Sequence, residues 1–252
     1  MRVSLIQFDI IWEQPEKNLN ILSERLREIA GMVDLVVLPE MFNTGCTLNT
    51  VPMAEDINGK TVQWLCDQAR DIQAHLIGSL IIEEKKKFYN RLIWASPRGL
   101  EGTYDKRHLD IESGENRVFT QGTRKLNISI NDWSIIPYIS HDLRFPVWIR
   151  SVHGEEIMVF IANFQDISAW KTLLKARAIE NQCFVIGVNR VGYDGHRQYY
   201  PGNSIIADTI GKILVEATEK EHIILYELEY TNLEQIRYEL PFLPDKDSFT
   251  IH

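Results

Sequence analysis

The chain has 252 residues and a formal net charge of −8, with 44% apolar and 25% charged residues. That length supports one large domain with a substantial core. The acidic balance excludes a general nucleic-acid partner, since phosphate binding needs a basic face, and no apolar run approaches the length of a membrane span.

The chain opens on a strand pattern. Arg2 to Asp9 alternates and then turns apolar, so no signal peptide is expected. Pro15 opens a helix that Gly31 closes, with Leu19, Leu22, Leu26 and Ile29 on one face. Asp34 to Leu38 is a nearly continuous apolar strand that stops at Pro39-Glu40. A polar loop from Asn43 to Lys60 follows, and Thr61 is read as the cap of a second helix running to Ala74. Leu76 to Ile82 is a strand, and Glu83 to Lys87 a solvated turn. Phe88 to Ala95 and Leu100 to Tyr104 form a hairpin around Ser96-Pro97-Arg98-Gly99.

Asp110 to Arg124 has no period and reads as a loop. Leu126 to Ile130 and Ser134 to Ser140 are strands around Asn131-Asp132, and a short helix follows Asp142. Glu155 to Phe160 is a buried strand, and Ser168 precedes a helix that turns Trp170, Leu173, Leu174 and Ala178 inward. Phe184 to Val188, a hairpin of Ser204 to Ala207 with Lys212 to Val215, and Ile223 to Leu228 complete the strands. The tail from Leu240 reads as extended. No linker-like shift divides residues 1–252, so a single domain of α/β or α+β class is expected. Cys46, Cys66 and Cys183 show no CxxC spacing, which suits a reducing cytoplasm. The histidines show no ligand spacing, so neither a metal nor a cofactor is expected.

Three strand ends carry chemistry: Glu40 after Leu-Pro, Lys106 in Tyr-Asp-Lys-Arg-His-Leu, and Ser140 before His-Asp-Leu-Arg-Phe-Pro-Val-Trp. Strand ends are where open α/β sheets hold their sites. A carboxylate, an ammonium and a hydroxyl meet the needs of acyl transfer: a base, an oxyanion partner and a nucleophile. Each alone has a plainer reading. Glu40 could start a helix, Lys106 could be solvated, Ser140 could satisfy a nearby backbone group, and Glu115 could be surface. Ser140-His141-Asp142 is not a triad, because neighbouring side chains on a strand point to opposite faces.

These three blocks resemble the signature segments of the nitrilase, or carbon–nitrogen hydrolase, family, most closely its omega-amidase-type branch. The resemblance spans nearly the whole chain and implies a four-layer α-β-β-α sandwich. It implies Glu40 as general base, Lys106 with the backbone N–H of His141 as oxyanion partners, and Glu115 as a second carboxylate just after the lysine. The tension between burial and Lys106 is expected to poise Glu40 as a base near neutral pH. The family's nucleophile is a cysteine, and here that position is Ser140. The resemblance also implies pocket roles for Phe42, Asn163, Phe164 and Trp170. Arg144 is read as structural, paired with a carboxylate, or as the cation that meets a substrate carboxylate. The implied substrate is a short dicarboxylic acid monoamide such as 2-oxoglutaramate or succinamate.

A serine hydroxyl is far less acidic than a thiol, and Glu40 is a weak base for it. The chain as written is therefore expected to be nearly inactive while keeping the shape of the site. Three accounts stay open: an engineered replacement of cysteine, a natural and catalytically silent binding or assembly protein, or a site re-tuned to serine. A homodimer or higher homo-oligomer is implied by the family, with Trp148, Phe242 and Phe249 offered as contacts.

Overall fold

A computed structural model describes residues 1–151 and 154–248; the expected contact at Phe249 lies outside them. The strands are β1 (Arg2–Gln7), β2 (Leu35–Val37), β3 (His75–Glu84), β4 (Lys87–Ser96), β5 (Gly99–Asp105), β6 (Ile128–Ile130), β7 (Trp133–Ile139), β8 (Ile157–Ala162), β9 (Phe184–Asn189), β10 (Val191–Tyr193), β11 (Tyr199–Pro201), β12 (Ile205–Ala207), β13 (Ile213–Glu216) and β14 (His222–Glu227). The α-helices are α1 (Pro15–Glu28), α2 (Thr50–Met53), α3 (Lys60–Ile72), α4 (Glu115–Val118), α5 (Pro146–Ile149), α6 (Ile167–Asn181) and α7 (Tyr230–Glu239).

Two six-stranded sheets form, in the orders β14-β1-β2-β3-β4-β5 and β13-β12-β9-β8-β7-β6. Each has three parallel strands at its centre, β1-β2-β3 and β7-β8-β9. The side-chain period of two sorts the first sheet's residues between two cores. Val3, Leu5, Leu35 and Val37 face the second sheet, and Ile6, Val36 and Leu38 face α1 and α3. On the far side Trp170, Leu174 and Ala178 of α6 pack on the second sheet. The result is a four-layer α-β-β-α sandwich.

Most elements fall where the apolar runs put them, and the departures have local causes. Asp166, not Ser168, caps α6, accepting the backbone N–H of Ala169 at 3.0 Å. Thr61 lies inside α3, with Gly59 at its N-cap, and its hydroxyl bonds Glu55 instead. α7 was not anticipated; Leu233 is its one buried residue, so it carries almost no apolar stripe. Among its described residues the tail beyond it makes one 3-10 turn, Leu243–Asp245.

The spacing between α6 and the second sheet depends on Gly187, where an added Cβ would collide with Leu174 and come within 2.8 Å of Trp170. Gly187→Ala is expected to destabilise by about 1–3 kcal/mol through overpacking. That corresponds to a fall in Tm of roughly 2–10 °C for a chain of this size. An unchanged Tm in a thermal melt would show that the two layers do not meet closely there.

Candidate active site

The site is assembled from strand ends of both sheets. The parallel ladder of β2 continues to Leu38, whose N–H donates to Ile77 at 2.8 Å. The chain then turns at Met41, which adopts φ +46°, and the Met41 N–H donates to Ser79 Oγ at 2.9 Å. That turn aims Glu40 inward, where it is 1% exposed. Lys106 directly follows β5 and is 3% exposed. Glu115 opens α4, on the loop expected from the sequence.

The Lys106 ammonium lies between two carboxylates, 2.9 Å from Glu40 Oε1 and 2.7 Å from Glu115 Oε1. Both Glu40 oxygens are engaged. Asn90 Nδ2 donates to Oε1 at 2.8 Å, and the backbone N–H and Nδ2 of Asn163 donate to Oε2 at 3.1 and 3.2 Å. Glu115 has less support: besides Lys106 it accepts the Asp110 N–H at 2.8 Å. Burial alone would raise both carboxyls. At Glu40 the ammonium and the amides of Asn163 and Asn90 outweigh burial and hold the group below the ordinary carboxylate range. This corrects the expectation of a base poised near neutral pH. At Glu115 burial prevails over Lys106, with the Glu40 charge adding to it, and its carboxyl sits above the ordinary range. A proton entering the cluster therefore goes to Glu115. Burial works against the Lys106 charge, but Glu115 and Glu40 more than offset it and keep the group cationic.

Ser140 follows β7 immediately and starts a 3-10 turn, Ser140–Arg144, with φ +43°. A non-glycine residue in that region is strained by about 1–3 kcal/mol, and such strain gathers at functional turns. Fully buried Asp142 fixes the turn. It accepts the Tyr104 hydroxyl at 2.6 Å, the His108 N–H at 2.9 Å and the Ile139 N–H at 3.3 Å, and pairs with His108 Nδ1 at 2.7 Å. Tyr104 and His108 flank Lys106, so Asp142 ties the lysine segment to the serine segment. The register Ile139↔Ile161 sets Ser140 level with Ala162 at the end of β8, one residue before Asn163 along the chain. From α6, Arg177 donates twice to the Leu143 carbonyl, at 3.1 and 2.9 Å.

The other sequence-predicted residues divide. Asn163 is in the cluster. Phe164 stands beside it, packed on Trp170 at 5.3 Å and under the Arg144 guanidinium at 4.9 Å. Arg144 is exposed and has no carboxylate partner among the described residues, which corrects its structural reading. Phe42 is also corrected: it is fully buried in the helix-side core against Trp64 and Gly78. So is Trp170, which is fully buried behind Phe164 and donates to the Asn203 carbonyl at 2.9 Å. The His141 ring packs on Phe145 at 5.4 Å, and burial lowers its pKa. No hydrogen bond joins it to Ser140, as expected from the rejected triad. Trp148, offered as an interface residue, turns inward, and its Nε1 donates to Tyr104 at 3.0 Å. Two members went unnoticed in the sequence. Asn90 is a mid-strand polar residue in an apolar run, a readable signal. Cys46 lies on the loop after Glu40, its Sγ 2.8 Å from Asn163 Nδ2.

Comparison with known proteins gives the family. The family model for carbon–nitrogen hydrolases matches residues 2–238. The chain belongs to the carbon–nitrogen hydrolase family. It is 34% identical to the omega-amidase YafV of Yersinia enterocolitica, over 100% of this chain and 98% of that protein. It is 29% identical to the 2-oxoglutaramate amidase of Bacillus subtilis, over 96% of each. Among solved structures it resembles a superfamily member from Xanthomonas campestris that carries an arsenic adduct in its active site. That match has a TM-score of 0.98 and 37% identity, over 100% of this chain and 99% of the other. The chain is thus an amidase-type carbon–nitrogen hydrolase by family.

Removing the ammonium leaves two buried carboxylates face to face. Lys106→Met is expected to cost about 3–5 kcal/mol at pH 7. The loss should shrink as pH falls, because the folded state then binds a proton that the unfolded state releases. In the parent chain the sign at Glu40 is opposite. Its carboxyl is depressed in the folded state, so its contribution is present above an unfolded value of about 4.3 and fades below it. The gap in urea midpoint between parent and Glu40→Gln should close over that range; a gap independent of pH would contradict the pairing.

Proposed function

We propose that this site takes the short monoamide of a dicarboxylic acid, such as 2-oxoglutaramate or succinamate, and is built to release ammonia from it. The observation that carries the reading is the buried ammonium held between Glu40 and Glu115 at the strand ends. In the reaction the family geometry serves, a nucleophile adds to the amide carbonyl as Glu40 takes its proton. The oxyanion meets Lys106 and the His141 N–H. Glu115 keeps the ammonium charged and aimed, and Asn163 holds Glu40 in its acceptor orientation. The far carboxylate of the substrate would meet Arg144, which stands over Phe164 and has no anionic partner among the described residues. The names of the Yersinia and Bacillus relatives support this substrate class.

Ser140 occupies the attacking position in this reading. Its hydroxyl makes no hydrogen bond to a protein group among the described residues, so Glu40 does not hold its proton in this resting geometry. That observation favours a second reading as well, a silent binding or assembly protein that keeps the shape of the site and not the turnover. A cytoplasmic setting is supported by three free cysteines. A homodimer is supported by exposed apolar side chains at Phe145, Val147, Leu240 and Phe242.

Ser140→Cys is expected to raise ammonia release from succinamate or 2-oxoglutaramate by at least about 100-fold, since a thiol is the nucleophile this base suits. No turnover of any short amide by the cysteine form, with binding intact, would leave the silent protein as the function. Arg144→Ala in that background should raise KM about tenfold or more and change kcat less, the mark of a contact made before and during reaction alike. A KM unmoved by Arg144→Ala would remove the carboxylate from the substrate.

A further inference from the structure

Asn90 interrupts an apolar stripe. Along β4 the side-chain period of two puts Leu92 and Trp94 between the two sheets. Asn90 continues that face and is 1% exposed. A leucine there would extend the stripe and bury no polar group. The asparagine instead holds both members of the ion pair. Its main-chain carbonyl accepts the Lys106 N–H at 3.0 Å. Its Nδ2 donates to Glu40 Oε1 at 2.8 Å. One residue thus grips the lysine segment by its backbone and the glutamate by its carboxylate.

The amide has one workable orientation. Turned over, it would set Oδ1 against Glu40 Oε1, acceptor against acceptor. Held as it is, Oδ1 is buried and has no partner among the described residues. An unpaired buried acceptor costs the fold stability, so the donor on Glu40 is kept at the fold's expense. The two oxygens of Glu40 are also held unequally. Oε1 takes two short bonds, 2.9 Å from the Lys106 ammonium and 2.8 Å from Asn90. Oε2 takes two longer ones, 3.1 and 3.2 Å, both from neutral donors of Asn163. A proton reaching this carboxylate therefore goes to Oε2. Burial pushes the Glu40 carboxyl up; the Lys106 charge, then hydrogen bonds from Lys106, Asn163 and Asn90, bring it below the ordinary range.

Resting on the amidase reading above, we propose that Asn90 is the positioning residue of the base: it closes Oε1 of Glu40 and leaves Oε2 to take the nucleophile's proton. That proton leaves the group at position 140 as its heavy atom bonds the carbonyl carbon, and the carbonyl pair moves to oxygen beside Lys106. Oε2 keeps the proton while the oxyanion stands and passes it to nitrogen as the C–N bond breaks. Lys106 stays on Oε1 throughout, because Asn90 holds both partners. Without the Asn90 donor, Oε1 competes with Oε2 for the proton, and a proton there would turn the ammonium away from its partner. The titratable groups coupled to the Glu40 charge are Lys106 after β5, Glu115 on α4, Cys46 on the loop after Glu40 and Tyr200 on β11. All four remain when Asn90 is replaced, so a change in the titration of Glu40 reads the asparagine.

The test compares Asn90→Leu and Asn90→Asp by pH profile, in the Ser140→Cys form of the full chain acting on succinamate. Asn90→Leu should lower kcat/KM about 10- to 100-fold, the worth of a hydrogen bond to a charged group. It should also raise the pH below which the rate falls, by about one pH unit or more. Asn90→Asp keeps the shape and can donate to Oε1 only while protonated. It should retain activity at the acid end and lose it as pH rises, the opposite dependence. Equal losses in both variants at every pH, with the acid limit unmoved, would reduce Asn90 to strand packing and overturn the proposal. So would Asn90→Leu at the Ser140→Cys rate. Should Asn90→Leu fail to fold by circular dichroism, the reversed profile of Asn90→Asp decides alone. A second readout needs no turnover: carbon-13 NMR of the glutamate carboxyls in the chain with Ser140, with Glu40 assigned by its loss in Glu40→Gln. The Glu40 midpoint should rise in Asn90→Leu, and an unmoved midpoint overturns the proposal while leaving the amidase reading intact. If Ser140→Cys releases no ammonia while that midpoint rises, the amidase reading falls and the hold of Asn90 on Glu40 stands.

Discussion

The structure depends on one buried ammonium shared by two carboxylates. At an effective dielectric constant near 20, two unit charges 4 Å apart attract by about 4 kcal/mol. Desolvation costs several kcal/mol per ion. Lys106 with Glu40 alone would therefore fall short of its desolvation cost, and the second carboxylate adds an unmatched negative charge. What makes the cluster tenable is its hydrogen bonding. Asn90 and Asn163 serve Glu40, and the Asp110 N–H serves Glu115. These donors come from β4, from the end of β8 and from the loop before α4, so both sheets must be in register before the charges can be buried. A packed apolar core would stabilise the fold more cheaply. The arrangement makes sense as chemistry held in place by the fold, not as a means of holding the fold together.

A second cross-tie handles the strain this imposes. Ser140 sits at positive φ, which costs about 1–3 kcal/mol. Asp142, two residues on, accepts from a tyrosine hydroxyl and two backbone N–H groups and pairs with a histidine. Hydrogen bonds to a charged group contribute about 1.5–3 kcal/mol each. The network is therefore large enough to offset the turn. Because Tyr104 and His108 bracket Lys106, the same carboxylate sets the distance between the two halves of the site. The stacked pair His108 and Phe145, with centroids 3.8 Å apart, closes the outer side.

The strands were legible because continuous apolar runs and their polar stops are local signals, and the stops at Glu40, Lys106 and Ser140 mark the site. What the sequence hid was direction. Phe42 and Trp170 lie near the site along the chain, yet each points away from it, one into the helix-side core and one behind Phe164. Facing is set by the turn at Met41 and by the capping of α6 at Asp166, and neither conformation can be read from residue type alone. α7 escaped because a surface helix with one buried leucine has no stripe to detect. Arg144 suggested a carboxylate partner, since arginines near a core usually have one, but the turn leaves it on the surface over an aromatic ring. Cys46 gave no signal, because its neighbourhood is made by a six-residue fold-back and by Asn163 from the other sheet.

The charge balance of the cluster also orients whatever it binds. One ammonium against two carboxylates leaves the interior negative or, with Glu115 protonated, neutral. A dicarboxylic monoamide entering with its carboxylate first would face Glu40 across a poorly screened gap, and like charges so placed repel by several kcal/mol. Entering with its amide first, it would offer N–H groups to the buried acceptors Asn90 Oδ1 and Asn163 Oδ1 and a carbonyl to Lys106. Its carboxylate would be left outside, on the side where Arg144 lies over Phe164. On the proposed function, selectivity for the terminal amide over the acid product would need no separate device. That product would differ from the substrate by one charge, placed where the site's own negative charge would expel it.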